Sequence, residues 1–417
     1  MSDQRRICAF VVLLGTACGG SSSGLGHNII ATPTDNVAEV VVDSGLPEVR
    51  NLNGLFATVT VCVPGTSECQ TIEHVLVDTG STGLRLISSA LTLSLPAWTD
   101  DNGLALAECG QFVSGFTWGS LRSADFRIAG EQVNDLPIQI IGDAAFPVPN
   151  DCTGSNVGTT ADLGANGILG LDTSLQDCGS DCTAAPGARS LNPGMYYACS
   201  STKVGDCQAA AVPVAKQVPN PIALFGQDNN GIIVELSGIP AGGSPLVNGA
   251  LVFGIDTREN NKLSGVTLLR LDGYGTFMTS YSGLSNPALG FADTGSNGIY
   301  FLGSATTGIP TCVDARYQFI SDFYCPRNTI NLSARNQDAL GMVTVNVGFS
   351  IANAEALFSS LNVAFNNLGG PSSAPSSDPN GMGTYFDWGL PFYFGRNVFT
   401  AIEGQSTPAG VGPFLAF

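Results

Sequence analysis

The chain has little positive charge. Of its 417 residues only 16 are Lys or Arg, against 34 Asp or Glu, and its formal net charge at pH 7 is −18. Such a surface repels phosphate backbones and anionic lipid headgroups, because these also carry negative charge. We therefore expect no nucleic-acid partner and no binding to the face of an anionic membrane.

Histidine is equally scarce, since His27 and His74 are the only two. A Ser-His-Asp relay needs a spare imidazole, and His74 lies four positions before Asp78 on the same predicted strand, which is a poor geometry for a relay. Metal sites built on imidazole lack ligands for the same reason. We expect neither a metal nor a cofactor.

Long apolar runs are also absent. The stretch over residues 7–14 is too short to cross a bilayer as a helix. It follows two Arg residues and precedes small residues and Cys18, so residues 1–18 resemble a bacterial lipoprotein signal peptide in which Cys18 is lipidated. We expect export to the bacterial envelope, on the periplasmic side or the cell surface, with residues 19–47 as a flexible tether. Gly15 stands where that signal usually has Leu, which leaves ordinary cleavage and free secretion as the alternative.

Cysteine, in contrast, is abundant. Ten of the twelve Cys residues follow the predicted signal peptide, and an even number in an exported chain indicates disulfides. Sequence alone does not fix the pairing, but short intervening loops favour four pairs and leave a fifth: Cys62–Cys69, Cys178–Cys182, Cys199–Cys207, Cys312–Cys325 and, by remainder, Cys109–Cys152. A metal site that includes Cys178 and Cys182 is the rival interpretation.

The tetrapeptide Asp-Thr-Gly-Ser occurs twice, starting at Asp78 and at Asp293. Each copy follows an apolar run and precedes another, which predicts a buried strand that leads into a tight turn. Two carboxylates about 3 Å apart repel each other by roughly 5 kcal/mol, so that over a wide pH range the pair holds one shared proton. Such a pair can take a proton from water with one group and give a proton to a carbonyl with the other. We predict Asp78 and Asp293 as catalytic residues.

The other residues of the two tetrapeptides suit the support of such a pair. Glycine permits a tight turn and offers an amide hydrogen, threonine can bond to the opposite loop, and the serine hydroxyl can fix each carboxylate. The predicted supporting residues are Thr79, Gly80, Ser81, Thr294, Gly295 and Ser296. Surface Asp-Gly turns are the simpler alternative, but they account poorly for two copies in apolar frames.

Further segments extend the pattern in a fixed order. Residues 166–171, Asn-Gly-Ile-Leu-Gly-Leu, look like an apolar segment that passes behind the first loop, and residues 390–399 look like its second copy, with Gly170 and Gly395 beneath the loops. With these segments the chain resembles the pepsin-like, retropepsin-related aspartic proteases, whose single chain carries one Asp-Thr-Gly loop in each of two lobes. It also looks like a bacterial, exported, cysteine-rich branch of that family.

The resemblance implies a fold and a function. The fold would be all-β and bilobal, with an N-terminal lobe at residues 48–240, a C-terminal lobe at residues 246–417 and few helices, of which the apolar spacing predicts one over residues 354–365. The function would be that of a monomeric aspartic endopeptidase that hydrolyses a polypeptide substrate with water and needs no cofactor.

The family also closes a β-hairpin flap over its cleft, with a Tyr that bonds to a Trp near the first catalytic loop. The best match for the flap puts Phe112 at the Tyr position and Trp118 as a second substrate-binding candidate, while Arg85 stands in place of the Trp. Ordinary core aromatics are the alternative for Phe112 and Trp118. The altered flap keeps two other functions open: a weak or inactive peptide-binding module of the bacterial envelope, or a shell that serves assembly alone.

Overall fold

The computed structural model describes residues 30–47, 49–187, 192–203, 205–313, 320–372 and 385–417. The predicted signal peptide, the lipidation candidate Cys18 and the first part of the predicted tether lie outside the described residues. The tether's last part does not behave as predicted, because residues 37–43 form a strand that pairs on both sides within a sheet.

Strands dominate the described residues, because short runs rich in Val, Ile, Phe and Thr alternate with Gly, Asn, Asp and Pro. The strands are β1 (Val37–Asp43), β2 (Gly54–Cys62), β3 (Cys69–Asp78), β4 (Thr82–Ile87), β5 (Ala105–Phe112), β6 (Gly115–Ile128), β7 (Glu131–Ile141), β8 (Gly167–Leu171), β9 (Tyr196–Cys199), β10 (Cys207–Ala209), β11 (Gly231–Leu236), β12 (Val247–Phe253), β13 (Leu268–Arg270), β14 (Phe277–Tyr281), β15 (Ala288–Ala292), β16 (Ile299–Phe301), β17 (Ile330–Gln337), β18 (Thr344–Ile351), β19 (Gly369–Pro371), β20 (Tyr385–Trp388), β21 (Arg396–Ala401), β22 (Ser406–Thr407), β23 (Gly410–Val411) and β24 (Phe414–Ala416).

Helices are few and short in the described part of the chain. The α-helices are α1 (Thr160–Leu163), α2 (Ser304–Thr307) and α3 (Ala354–Phe358). Single 3₁₀ turns span Ser88–Ala90, Gly179–Thr183, Val214–Lys216, Pro221–Leu224, Glu259–Asn261, Ile320–Asp322 and Leu390–Phe392.

The predicted helix over residues 354–365 is wrong in length, since α3 ends at Phe358 and Leu361 is 93% exposed. The hydroxyls of Ser359 and Ser360 bond to carbonyls within the last turn, which competes with further helical bonds. Arg50 binds the carbonyl of Phe358 and two carbonyls beyond it.

The strands form one large sheet, a second sheet and a small ribbon. The large sheet has the order β10-β9-β5-β6-β7-β4-β8-β3-β2-β1-β12-β11-β21-β24-β13, and the second has the order β18-β17-β14-β15-β20-β16-β19. β22 pairs with β23 in the ribbon. The principal hydrophobic core draws on strands of both larger sheets.

The same arrangement of strands occurs around both Asp-Thr-Gly-Ser loops. In the first half β3 runs parallel to β8, which is antiparallel to β4; in the second half β15 runs parallel to β20, which is antiparallel to β16. In each half the third strand also pairs in parallel with a fourth, β7 or β19. The prediction of an all-β, bilobal, pepsin-like fold is confirmed, whereas the limits of the two lobes stay a prediction.

The segment behind the second loop is not the predicted one. β8 lies within the predicted residues 166–171, but its counterpart is β20, and residues 396–401 instead form β21 in the large sheet. Accordingly the glycine beneath the second loop is Gly389: a Cβ there would lie 2.6 Å from the carbonyl oxygen of Ser296. Gly170 has the same relation to Ser81, at 2.8 Å, whereas a Cβ on Gly395 would meet only Gly238.

All five predicted disulfide pairings are confirmed: Cys62–Cys69, Cys109–Cys152, Cys178–Cys182, Cys199–Cys207 and Cys312–Cys325. The bond between Cys178 and Cys182 removes the two thiolates of the rival metal interpretation. Five disulfides indicate an exported protein, because reducing compartments do not maintain them. In the described part of the chain no helix is long and apolar enough to cross a membrane.

Candidate active site

The two Asp-Thr-Gly-Ser loops hold their carboxylates in matching ways. Asp78 ends β3, and its Oδ1 accepts a hydrogen bond from the amide of Gly80 at 2.8 Å while its Oδ2 accepts one from the hydroxyl of Ser81 at 2.5 Å. Asp293 follows β15 and accepts the equivalent bonds, at 2.7 Å from the amide of Gly295 and at 2.8 Å from the hydroxyl of Ser296. Each carboxylate therefore has both oxygens fixed within its own loop.

Thr79 and Thr294 join one loop to the other. The amide of Thr79 donates to Oγ1 of Thr294 at 3.1 Å, and the amide of Thr294 donates to Oγ1 of Thr79 at 3.0 Å. Each hydroxyl then donates to a carbonyl of the opposite half, Thr294 to Val77 at 2.7 Å and Thr79 to Ala292 at 3.1 Å. This reciprocal bridge is buried and fixes the distance between the two loops.

Close approach of the loops brings the two carboxyl groups near each other. A Cβ on Gly80 would lie 2.7 Å from Cγ of Asp293, and a Cβ on Gly295 would lie 2.5 Å from Oδ1 of Asp78. No other residue type fits at these two positions without displacing a carboxylate, because real Cβ contacts are longer than this.

The pKa of Asp293 is raised well above its usual range. Burial is the largest cause, and the charges of Asp78 and of a third carboxyl group, Asp387, add to it, together with a hydrogen bond between Asp293 and Asp78. The hydroxyl of Ser296 acts in the opposite direction. The pair of carboxyls therefore keeps one proton to higher pH than a lone carboxyl does.

The predicted flap is the hairpin of β5 and β6. Its turn lies between Phe112 and Gly115, and Val113 at the tip is 89% exposed. The guanidinium carbon of Arg85 lies 5.8 Å from the centre of the Phe112 ring, within the range of a cation–π contact. The two residues that are predicted to replace the flap Tyr and its Trp partner therefore lie against each other, as a charge on a ring.

Arg85 is held in a buried group of charges that the sequence did not indicate. Its Nη2 lies 2.6 Å from Oε1 of Glu108 and 3.1 Å from Oδ2 of Asp177, and all three side chains are at most 3% exposed. The pKa of Asp177 is raised well above its usual range, by burial and by the charge of Glu108, while Arg85 lowers it. The hydroxyl of Tyr196 donates to Asp177 as well.

Trp118 lies in the interior at the base of the flap. It is 2% exposed, its Nε1 donates to the carbonyl of Phe146 at 2.9 Å, and its ring packs edge-on against Tyr197. The disulfide of Cys109 and Cys152 belongs to the same cluster. Trp118 is thus packed in the core, and Phe112 contacts Arg85 of β4. The substrate contacts of both residues stay a prediction.

Two more acidic side chains stand close to the loops and were missed from the sequence. Asp172 accepts a hydrogen bond from the hydroxyl of Thr82 at 2.5 Å, and burial raises its pKa to about 6 against the effect of that bond. Asp387 is 4% exposed in the middle of β20. A charged residue within an otherwise apolar strand is the signal that could have indicated Asp387.

Comparisons with known proteins give a family and a fold neighbour. A family model described as "Protein of unknown function (DUF3443)" matches residues 32–417. No curated protein matches the chain. A crystal structure of the aspartic proteinase from Irpex lacteus is similar to it at 15% sequence identity, with a TM-score of 0.49, over 91% of this chain and 96% of that chain. The family match includes both Asp-Thr-Gly-Ser loops.

Proposed function

The chain belongs to the family described as protein of unknown function (DUF3443), and from the site that it carries we propose that it is an aspartic endopeptidase. The observation that carries the proposal is the close approach of Asp78 and Asp293, each fixed by the amide and hydroxyl of its own loop. A protein that only binds or assembles has no physical need for two adjacent carboxyl groups, since their mutual repulsion costs stability.

The proposed mechanism gives the two carboxyls different roles. Asp293, whose pKa is raised, acts as the acid and donates its proton to the carbonyl oxygen of the scissile peptide. Asp78 acts as the base and takes a proton from the water whose oxygen bonds to the carbonyl carbon. Asp78 then gives the proton that it took from water to the amide nitrogen, and the carbon–nitrogen bond breaks. One hydroxyl on the tetrahedral carbon returns its proton to Asp293 as the carbonyl re-forms in a carboxylic acid.

The proposed substrate is an extended polypeptide that pairs as an added strand beneath the flap. Phe112 gives the flap an apolar wall, and its contact with Arg85 substitutes for the flap hydrogen bond of the pepsin-like enzymes. We propose a monomeric, exported enzyme without a cofactor, bound to the bacterial envelope by a lipid on Cys18 or freely secreted.

The first test is cleavage of an unfolded polypeptide by the purified protein between pH 3 and pH 7. We expect cleavage to be fastest in mild acid, and Asp78→Asn and Asp293→Asn to lower kcat by about 10²- to 10⁴-fold, because each removes one partner of the proton transfer. Circular dichroism and urea unfolding check that both variants fold. Undiminished cleavage by either variant would contradict the proposal.

A binding function remains the second candidate, because Phe112 replaces the flap Tyr. It is distinguished by a statine-type inhibitor, whose hydroxyl binds between the two carboxyl groups. Wild type that binds this inhibitor but cleaves nothing from pH 3 to pH 7 would favour a peptide-binding module over an endopeptidase.

A further inference from the structure

Asp387 occupies the middle of β20, directly behind the second catalytic loop. It pairs with Phe291 of β15 on one side and with Tyr300 of β16 on the other. Its neighbours Phe386 and Trp388 are fully buried and stack on each other in the aromatic core. Because side chains alternate along a strand, the carboxyl of Asp387 lies on the opposite face, towards the loop.

On that face Asp387 lies near Ser296, whose hydroxyl lowers the pKa of the Asp387 carboxyl. The hydroxyl of Ser296 in turn donates to Oδ2 of Asp293 at 2.8 Å. A serine hydroxyl has one hydrogen to donate, so that it serves both carboxyls only when Asp387 itself is protonated and donates to Ser296. A protonated Asp387 can therefore donate to Ser296 while Ser296 donates to Asp293.

The first half of the molecule has no such group. The strand registers align Trp388 with Leu169, because these residues pair with Ala292 and Val77, the residues before the two catalytic aspartates. Asp387 therefore corresponds to Ile168, which is buried and cannot hold a proton. Since the rest of the two loops matches bond for bond, the carboxyl is a specific difference between two otherwise equivalent sites.

The groups that face Asp387 are acidic or neutral. Asp78 and Asp293 lie on the side of the catalytic loops, and Tyr300 faces Asp387 from β16. Tyr393 is close enough for the charge of Asp387 to raise the pKa of its hydroxyl. Asp387 belongs to none of the ion pairs formed within the described residues. Its Oδ1 is buried without a hydrogen-bond partner in this part of the chain.

This surrounding favours the protonated form. Burial raises the pKa of Asp387 well above its usual range, the nearby hydroxyl of Ser296 lowers it, and the charge of Asp78 raises it again. The charge of Asp387 in turn raises the pKa of Asp293.

We propose that Asp387 is a positioning residue of the site, which acts through the hydroxyl of Ser296 to hold Asp293 in place and to extend its protonated state to higher pH. In mild acid the neutral carboxyl orients Ser296 towards Asp293. As the pH rises, the new negative charge on Asp387 opposes ionisation of Asp293. The proposal rests on the proposed endopeptidase function, because it concerns the pH range over which the acid of the pair works.

The test compares wild type with Asp387→Asn and Asp387→Ile over pH 3 to pH 8. Asparagine keeps the shape and removes the charge, and isoleucine copies the residue of the first half. We expect the alkaline limb of kcat/KM to move to lower pH by about one unit in both variants, because a like charge next to Asp293 is lost. A further loss in kcat is expected for Asp387→Ile alone, since Ser296 then has no partner on that side.

Asp338→Asn is the matched control. Asp338 is also a buried carboxyl with one unpartnered oxygen, but it lies in a turn where it binds the amides of Met342 and Val343. The Asp338→Asn variant should have the same dependence of kcat/KM on pH as wild type. A purely structural role for Asp387 would lower activity equally at all pH values, and that outcome, or an alkaline limb within 0.3 unit (about twofold in the equilibrium constant) of wild type, would overturn the proposal.

A second measurement does not depend on cleavage. The pKa of Asp387 is higher in the folded protein than in the unfolded chain, so wild type should lose stability as the pH rises from about 4, whereas Asp387→Asn lacks this loss. The urea midpoint of Asp387→Asn relative to wild type should therefore rise with pH, and less so in an Asp293→Asn background. A pH-independent difference, or equal differences in both backgrounds, rejects the role of Asp387 whether or not wild type cleaves a substrate. If the expected pH dependence is found but wild type cleaves nothing, only the proposed function has failed.

Discussion

Gly389 has no side chain, and this lets β20 and the residues after it pack closely against the second catalytic loop. Its φ of −66° is ordinary for any residue, yet a Cβ would lie 2.1 Å from the carbonyl oxygen of Gly298. We expect Gly389→Ala to lower the free energy of unfolding by about 3 kcal/mol, because backbone must move to relieve the overlap. Urea unfolding measures this cost.

Gly226→Ala is the control for that substitution, since nothing lies within 4 Å of a Cβ at Gly226. It should change the free energy of unfolding by less than about 0.5 kcal/mol. An equal effect of the two substitutions would contradict the place that the structure gives to Gly389.

Arg85 compensates two buried carboxylates, so its removal should depend strongly on pH. We expect Arg85→Met to lower the free energy of unfolding at pH 7 by about 3–5 kcal/mol, since Glu108 and Asp177 are left without a cation. The loss should shrink towards pH 4: the pKa of Asp177 is already raised in the folded protein and rises further without Arg85, so protonation in acid stabilises the variant. Urea unfolding at the two pH values checks both parts.

Arg122→Met provides the comparison for Arg85. Arg122 lies 3.7 Å from Asp143, and both side chains are partly exposed. A pair of this kind contributes at most about 1 kcal/mol. A similar loss for Arg85→Met at pH 7 would mean that the buried charges under the flap are not coupled.

The catalytic residues that could be predicted from the sequence belong to a motif that occurs twice. The two copies of Asp-Thr-Gly-Ser identify Asp78 and Asp293 because a repeated pattern is visible without a structure. Asp387 and Glu108 occur once each, inside β-strands, and their importance comes from neighbours far away in the chain. Local sequence marks Asp387 as a charged residue in an apolar strand, but it does not show which distant residues lie around Asp387 or Glu108.

Strand β5 of the predicted flap is attached to the rest of the molecule in two ways. The disulfide of Cys109 and Cys152 joins it to a loop 43 positions away, and β9 pairs along its other edge. We expect the double variant Cys109→Ala, Cys152→Ala to lose about 4 kcal/mol of stability, from the entropy of the opened loop. Hydrogen exchange should also accelerate at residues 105–120, because the flap loses its attachment.

The double variant Cys312→Ala, Cys325→Ala is the control for the flap. Its disulfide closes a separation of 13 positions in the second half of the chain. It should cost about 3 kcal/mol and leave hydrogen exchange in the flap unchanged. Equal acceleration in both double variants would indicate a general loosening rather than release of the flap.

The sequence predicted the order of the elements in both halves of the chain. In the second half it did not predict which residues form the strand behind the catalytic loop. The segment of β8 was predicted from its apolar-Gly pattern. Residues 390–399 carry the same pattern, so they were predicted as the second copy instead of β20. The choice between them depends on register: the amide of Asp293 donates to the carbonyl of Trp388, and this long-range pairing has no signal in the local sequence. The predicted helix over residues 354–365 failed for a related reason, since Arg50 from the other half of the chain binds the carbonyls that would extend it.

Acidity of the whole molecule should make it more stable in mild acid than at neutral pH. Burial raises the pKa of several carboxyl groups in the folded protein: Glu131, Asp172, Asp177, Glu235, Asp293 and Asp387. A carboxyl whose folded pKa lies above its unfolded value loses stability as the pH rises between the two values. For Asp172, with a pKa of about 6, that window runs from about pH 4 to pH 6.

We therefore expect the free energy of unfolding to be lower at pH 8 than at pH 5 by at least about 2 kcal/mol. The net charge of −18 acts in the same direction through self-repulsion. Urea unfolding at several pH values measures the slope, and Asp172→Asn should flatten it. Stability that rises from pH 5 to pH 8 would contradict these pKa directions.

The bridge of Thr79 and Thr294 joins two halves with the same strand arrangement, as two copies of one ancestral half-length chain would. In a dimer of identical copies, any residue behind one loop must also stand behind the other. A carboxyl at the place of Asp387 would then occur twice and crowd four acidic groups together. Fusion into one chain removes that constraint, because Ile168 and Asp387 are free to differ. Covalent linkage thus provides more than a tether: it allows the base and the acid of the pair to evolve separate environments.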